Sequence, residues 1–307
     1  MKNSYEGKLT CVSFIIPLLL LLISIYFFYP ESLPPDKGSE IRNLAETNDV
    51  VIIANAGGLG DVQLQQAADF APLLKGIQDT LSELGYTSAL LPYMRTPPGL
   101  SGRISDVKAQ LNSFDSASKV LADDIISISK NLPEKNFIIA GFSNGGAFSE
   151  AVMDRIGDRP NVSAIIAGVP CWYKPYKQVN SLVLTNNDQD SLAASNSKEI
   201  IATIIEAPFR FIRSKVTKGN LNVATSFRFP GHDYAWYSPE VGPPVQKFLR
   251  SRFGAIAQTI PGRRLQFDPL IRGIFSPLNG PLVSIIIELI FNSCSSFERW
   301  ERRSPWY

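Results

Sequence analysis

The fold of this chain is constrained most by one five-residue segment, Gly141-Phe142-Ser143-Asn144-Gly145, which reads G-x-S-x-G. The apolar run at residues 137–140 predicts a buried strand before this segment, and residues 146–156 predict a helix after it. Small residues on both sides of the serine let the two backbones pass close together. The sequence therefore predicts a sharp strand–turn–helix junction, a nucleophile elbow, that lifts the Ser143 hydroxyl clear of the sheet.

Partners for this serine follow it along the chain. The single histidine, His232, comes just after a predicted strand at residues 221–227. Between the serine and the histidine, an apolar strand at residues 181–185 leads into polar residues and then into Asp188, with Asp190 two residues further on. Histidine can take and return a serine proton, and a carboxylate orients the imidazole. We assign these roles to Ser143, His232 and Asp188, which is nearer the strand end, with Asp190 as the alternative acid.

The order Ser, Asp, His is the chain order of the α/β-hydrolases. Residues 49–253 resemble that superfamily, in its serine esterase and lipase branch, and a glycine-rich loop extends the resemblance: Asn55-Ala56-Gly57-Gly58-Leu59-Gly60-Asp61. Many members have His-Gly-x-Gly-Gly-x-Gly here, whereas this chain starts with Ala54-Asn55-Ala56. The resemblance implies an oxyanion hole formed by the backbone N–H of Asn144 and one N–H from Ala56 or Gly57.

Strands and helices alternate along the central region, which predicts a mostly parallel sheet with helices on both faces, the α/β-hydrolase fold. The remaining predicted strands cover residues 50–54, 88–93 and 163–168, and the remaining predicted helices cover residues 67–84, 115–130 and 244–253. The expected domains are an N-terminal anchor at 1–30, a polar stalk at 31–48, a hydrolase domain at 49–253 and a tail of unknown role at 254–307. The short stalk predicts a sheet with reduced N-terminal strands.

Two surface segments carry open alternatives. Residues 95–105 are rich in proline and glycine and are either a loop over the site or a plain surface loop. Residues 191–220 carry isoleucines, phenylalanines and cations at amphipathic spacing. This segment is a lid, a membrane-surface contact or an ordinary packed helix.

The N-terminus carries an almost unbroken apolar run at residues 11–29, about long enough to cross a bilayer as a helix. Lys2 and Lys8 precede the run, and acidic residues such as Glu31 and Asp36 follow it. The positive-inside rule then keeps the N-terminus in the cytoplasm. We therefore expect a retained single-pass signal-anchor with the catalytic domain on the non-cytoplasmic side. A cleaved signal peptide is the alternative.

Composition narrows the function further. The net charge is +2, which offers no electrostatic case for binding nucleic acid. One histidine and three cysteines supply no metal-ligand cluster, and we expect no metal or cofactor. We predict a membrane-anchored serine hydrolase that cleaves small-molecule or lipid esters of an apolar acyl group through an acyl-enzyme. An acyltransferase with the same triad and a catalytically silent binding module are the alternatives.

Overall fold

The structure, a computed structural model, describes residues 24, 32–64, 67, 70–173, 180–186, 189–217 and 228–257. The chain divides into two compact units, Met1–Ile260 and Pro261–Tyr307, and the second lies outside the described residues. The predicted anchor, apart from Ser24, and the predicted strand at 221–227 also lie outside them. Within the described ranges, no helix is both long and apolar enough to cross a membrane.

Five strands of the described region form one parallel sheet in the order β2-β1-β3-β4-β5. The strands are β1 (Val50–Asn55), β2 (Ser88–Pro92), β3 (Asn136–Phe142), β4 (Val162–Ala167) and β5 (Ser181–Leu184). In register, Ile52 of β1 lies opposite Leu90 of β2 and Ile138 of β3. Every residue of β1 and β4 is buried, as expected of parallel strands covered on both faces. The predicted parallel α/β architecture is confirmed.

Helices cover both faces of this sheet. They are α1 (Gly38–Thr47), α2 (Ala71–Glu83), α3 (Leu100–Leu111), α4 (Asp115–Asn131), α5 (Asn144–Ile156), α6 (Ser197–Val216) and α7 (Gly242–Ala257). Because side chains alternate along a strand, β1 sends Val51 and Ile53 into one apolar layer and Val50 and Ile52 into the other. The first layer contains residues of α1, α4 and α5, and the second contains residues of α2 and α7.

The segment expected to be a stalk, residues 31–48, contains helix α1 instead. Ile41 and Ala45 lie four residues apart on one side of α1, and both are fully buried in the first apolar layer. Burying an isoleucine side chain stabilises a fold by about 1.5–3 kcal/mol. Residues 38–47 therefore belong to the folded domain, because their short apolar stripe packs onto it. The region expected to be a loop at 95–105 likewise runs into a helix, α3, which begins at Leu100.

The direction in which the chain winds along the sheet reverses between β1 and β3. From β1 the chain passes outward to β2, whereas from β3 it passes to β4 and β5 on the other side. In open α/β sheets, ligands bind at such a reversal, beyond the carboxyl ends of the strands. The loop that follows Asn55 and the residue that follows β3, Ser143, both leave the sheet at this point.

Candidate active site

Ser143 occupies the sharp turn between β3 and α5. Its backbone angles are φ 55° and ψ −124°, a combination that a residue other than glycine rarely adopts. Such strain persists only where the surrounding structure enforces it, and it is typical of functional sites. The backbone N–H of Ser143 donates to the carbonyl of Ala167 at 2.9 Å, which ties the turn to the end of β4. The predicted strand–turn–helix junction is present, with Ser143 at its apex.

The two glycines of G-x-S-x-G are required by close packing. A Cβ atom on Gly141 would lie 2.4 Å from Oγ of Ser149 and 2.6 Å from the carbonyl oxygen of Gly145. A Cβ atom on Gly145 would lie 2.2 Å from the carbonyl oxygen of Asn55. These distances leave no room for a side chain. The motif therefore reflects the meeting of β3, α5 and the loop after β1 at one point.

His232 is held by a carboxylate. Its Nδ1 lies 2.8 Å from Oδ2 of Asp190, and the Asp190 side chain is fully buried. Burial alone would raise the pKa of Asp190. The hydrogen bond and charge of His232, the hydroxyl of Tyr234 and the backbone N–H of Ala193 outweigh burial and lower this pKa. Asp190 is thus an anion at neutral pH, and a carboxylate anion only accepts hydrogen bonds. Nδ1 must carry the proton, which leaves Nε2 as the basic nitrogen of the ring.

Asp190 has a full set of donors. Its Oδ1 accepts the backbone N–H groups of Leu192 at 2.9 Å and Ala193 at 3.2 Å. Its Oδ2 accepts from Tyr234 at 2.8 Å in addition to His232. Such hydrogen bonds fix the carboxylate in one orientation and stabilise its charged form. Asp190 is therefore held in place by its other donors and in turn fixes the orientation of the imidazole ring.

The carboxylate beside His232 is the one that the sequence ranked second. Asp188, which it ranked first, lies outside the described residues. Strand β5 ends at Leu184, and a turn follows in which Gln189 donates its backbone N–H to the carbonyl of Asn186. Asp190 follows Gln189 directly and is the carboxylate whose side chain binds His232.

Several contacts bring the histidine loop to the carboxyl ends of the strands. Asn186 donates its side-chain amide to the carbonyl of Gly231 at 2.7 Å, and Ser191 donates to the carbonyl of Pro230. A Cβ atom on Gly168, the residue after β4, would lie 2.9 Å from Cε1 of His232. The ring of His232 also stacks on Phe142, the neighbour of Ser143, with centroids 4.9 Å apart. The imidazole thus lies at the same edge of the sheet as Ser143.

The loop after β1 lies against the serine. A Cβ atom on Gly57 would be 3.0 Å from the Cβ of Ser143, so the backbone of Gly57 passes directly beside it. Arg95, which is 2% exposed, donates to the carbonyls of Ala56 at 2.9 Å and Gly58 at 3.0 Å. The C=O and N–H groups of a trans peptide point in opposite directions. Because Arg95 binds the Ala56 carbonyl, the N–H of Gly57 points away from Arg95.

Arg95 is itself fixed by a buried ion pair. Its Nε donates to Oδ1 of Asp106 at 3.1 Å, and Asp106 is fully buried. Gln110 donates to Oδ2 of Asp106 at 2.7 Å, and Asn144 donates its side-chain amide to Gln110 at 3.3 Å. The network therefore runs from the loop after β1 through α3 to the residue that follows the serine. Sequence reasoning missed Arg95 and Asp106, because their separation along the chain carries no motif.

The candidate oxyanion donors meet at the N-terminus of α5. Asn144 is the first residue of this helix and Ser143 is its N-cap. The first N–H groups of a helix have no partner within the helix, and they point toward the positive end of its dipole. The backbone of Gly57 lies beside Ser143, and the carbonyl of Ala56, which shares a peptide plane with the Gly57 N–H, is directed toward Arg95. Of the two loop N–H groups that the sequence proposed, that of Gly57 is therefore the one whose direction these contacts define.

No family model and no curated protein matches the chain in sequence. Solved structures similar to parts of it include a cutinase from Trichoderma reesei in complex with a C11Y4 phosphonate inhibitor. That match has 16% identity and a TM-score of 0.31, and covers 59% of this chain and 76% of the cutinase. A second is a cutinase-like protein from Cryptococcus sp., with 20% identity and a TM-score of 0.29. This second match covers 40% of the present chain, and the present chain spans about half (54%) of the length of the cutinase-like protein.

Proposed function

We propose that the chain is a serine carboxylic ester hydrolase in which Ser143 is the nucleophile, His232 the general base and Asp190 the acid that orients it. One observation carries the proposal: a buried, fully hydrogen-bonded carboxylate holds the imidazole at the sheet edge where a strained serine turn emerges. A serine hydroxyl is a poor nucleophile at neutral pH and needs such a base. A nucleophilic serine, a histidine base and an orienting carboxylate are the groups that acyl transfer to serine requires, and their presence at one sheet edge supports the proposal.

In this mechanism Nε2 of His232 takes the proton of the Ser143 hydroxyl as Oγ attacks the ester carbonyl carbon. The negative oxygen of the tetrahedral intermediate accepts the N–H groups of Asn144 and Gly57. His232 then gives its proton to the departing alcohol, which leaves Ser143 acylated. Water, deprotonated by the same imidazole, attacks the acyl carbon; His232 then returns that proton to Oγ of Ser143 as the acid leaves. Each oxyanion donor lowers the barrier by about 3 kcal/mol in comparable enzymes.

Apolar rings beside the imidazole favour an apolar substrate. Phe142 stacks on His232, and Phe229 meets the same ring edge-on with centroids 6.5 Å apart. Neither ring offers a hydrogen bond or charge to a polar acyl group. Esters with hydrocarbon acyl chains are therefore the proposed substrates, since they gain about 0.8 kcal/mol for each CH₂ group removed from water.

Hydrolysis of short-chain p-nitrophenyl esters tests the proposed chemistry. Ser143→Ala should lower kcat by about 10³-fold or more, to the rate that substrate binding alone supports. Ser129→Ala is a matched control, because the Ser129 hydroxyl bonds only the carbonyl of Ile126 within its own helix. Both variants should keep the wild-type thermal unfolding transition. Near-wild-type turnover by Ser143→Ala would show that the elbow is not the catalytic site.

We further propose that residues 1–30 retain the chain in a membrane with the catalytic domain on the non-cytoplasmic side. The apolar run at residues 11–29 and the two lysines before it support this topology. Protease protection on intact cells or spheroplasts, with N-terminal sequencing of the mature chain, tests it. External protease should digest the domain. A mature chain that begins after Tyr29 would instead establish a cleaved signal peptide, and a shielded domain would reverse the orientation.

A further inference from the structure

Helix α6 (Ser197–Val216) exposes its apolar side. Five large apolar residues follow one another at spacings of three or four, and each is between 56% and 78% exposed: Ile201, Ile205, Phe209, Ile212 and Val216. Residues so spaced lie above one another on a single side of a helix. We call these five residues the α6 stripe. An exposed, continuous apolar stripe of this kind marks a surface that contacts something other than water.

The side of α6 that meets the protein is the opposite one. Its buried residues are Thr203 and Ala207, and each lies about 160° around the helix axis from Ile205. A helix at the surface of a globular domain normally turns its apolar side inward and its polar side outward. In helix α6 the inward side carries the buried Thr203 and Ala207 with the half-buried Ile200 and Phe211, whereas the larger apolar stripe faces out. Packing within the described residues therefore does not account for the stripe.

Cations flank the stripe. Arg213 and Lys215 each lie about 80° from its centre line, one on either side. The second half of the helix, from Ala207 onward, has a third cation, Arg210, and no carboxylate. Long basic side chains in this position can keep their charges in a polar layer while their methylene groups follow the apolar side. This combination of apolar and basic sides is complementary to a lipid surface with anionic headgroups.

We propose that α6 lies in the plane of an anionic membrane surface, with the α6 stripe in the boundary between headgroups and acyl chains. The helix is tied to the acid loop, because Asn196, its N-cap, donates its backbone N–H to the carbonyl of Ser191. A docked α6 thus holds the loop of Asp190 near the lipid. The docking itself does not depend on the proposed chemistry. Delivery of lipid esters to Ser143 would follow only if that chemistry is also correct.

Site-directed spin labelling of the full chain tests the docking directly. The native Cys11, Cys171 and Cys294 are replaced by serine, and single cysteines are placed at Ile205 or at Glu206. The chain is incorporated into phosphatidylcholine vesicles with or without phosphatidylglycerol, and circular dichroism checks the fold of each variant. Collision with molecular oxygen reports contact with acyl chains, and collision with a water-soluble nickel chelate reports contact with water.

In vesicles with phosphatidylglycerol, the label at Ile205 should collide mainly with oxygen, and the label at Glu206 mainly with nickel. Repeating the measurement at Phe209 and Ile212 should give the Ile205 result. A nickel signal at Ile205 equal to that at Glu206 would place the stripe in water and overturn the proposal. A label at Ile205 that neither reagent reaches would show that protein covers the stripe, and it would overturn the proposal equally.

The charge requirement has its own control. Arg213→Gln with Lys215→Gln should weaken the preference of α6 for the anionic surface by about fivefold for each cation removed. The difference between oxygen and nickel collision at Ile205 should then shrink in vesicles with phosphatidylglycerol. An unchanged difference would overturn the assignment of anionic lipid as the partner. None of these readings uses ester hydrolysis, so a failure here is distinguishable from a failure of the proposed activity.

Discussion

Replacing Arg95 with methionine removes the charge that holds the loop after β1. The guanidinium donates to the carbonyls of Ala56 and Gly58 and pairs with the fully buried Asp106. Removing one partner of a buried ion pair costs about 3–5 kcal/mol, because the remaining charge has no counterpart. Gln110 still donates to Asp106, so we expect a loss of free energy of unfolding near 3 kcal/mol.

The same substitution should slow catalysis for a separate reason. Without Arg95 the Ala56 carbonyl is free to turn, and the N–H of Gly57 turns with it, since the two groups belong to one rigid peptide plane. Complete loss of one oxyanion donor costs about 10²–10³ in kcat. A loosened donor loses part of this, so we expect kcat to fall by about 10–100-fold. KM should change little, because the donor acts on the transition state.

Urea unfolding and steady-state hydrolysis of a soluble p-nitrophenyl ester measure the two effects. The double variant Arg95→Met with Asp106→Asn removes the unpaired charge and should recover much of the stability but not kcat. Arg155→Met is the control, because Arg155 bonds Ser118 between α4 and α5 and should leave kcat unchanged. If kcat returned together with stability in the double variant, the role of Arg95 would be purely structural and the reasoning would be refuted.

Three further outcomes are expected. Burial raises the pKa of Glu150 from 4.5 to about 7, so Glu150 ionises at lower pH in the unfolded chain and the free energy of unfolding falls as the pH rises through this window. Urea unfolding of the wild type should show a free energy of unfolding about 3 kcal/mol lower at pH 8 than at pH 4 from this group, and Glu150→Gln should remove that difference. Parallel pH curves for the two proteins would contradict this. Tyr234→Phe should lower the free energy of unfolding by about 2 kcal/mol, since the fully buried hydroxyl donates to an anion, and an unchanged urea midpoint would disprove that hydrogen bond. Asp190→Asn should lower kcat by about 10⁴-fold and Asp188→Asn far less, and the opposite ranking in parallel assays would return the acid role to Asp188.

The sheet and most helices could be predicted because their signals are local. Strand β1 and strand β3 are short apolar runs between polar residues, and the glycines around Ser143 specify the turn between β3 and α5. Helix α1 was missed because its apolar stripe is short and its neighbours are polar and proline-containing. Its place in the fold depends on packing against the sheet, which periodicity alone does not show.

The sequence predicted the candidate site only in part, because some of its signals are local and others depend on the path of the chain. Ser143 and His232 follow predicted strands, but the choice of acid depended on the path of the chain after β5. Asn186 adopts a positive φ of 52°, which asparagine tolerates better than most residues, and the turn there brings Asp190 to His232. The pair Asn186-Asn187 was the available signal for that turn.

Arg95 shows a limit of sequence reasoning. An arginine in a segment rich in proline and glycine ordinarily lies at the surface. Its burial here requires Asp106, two backbone carbonyls and the rings of Phe114 and Phe148, which surround the guanidinium. These partners come from four places along the chain, so only the fold brings them together.

The central claim is that Ser143 is the nucleophile activated by His232, and site-mapped covalent labelling tests it most directly. The full chain is treated with an alkyl fluorophosphonate, which phosphonylates a serine activated by a base, and the modified peptide is sequenced by mass spectrometry. Wild-type protein should carry one phosphonyl group, on Ser143, and His232→Ala should react far more slowly while keeping its fold. A label on another residue, or an unlabelled Ser143 in folded wild-type protein, would contradict the account.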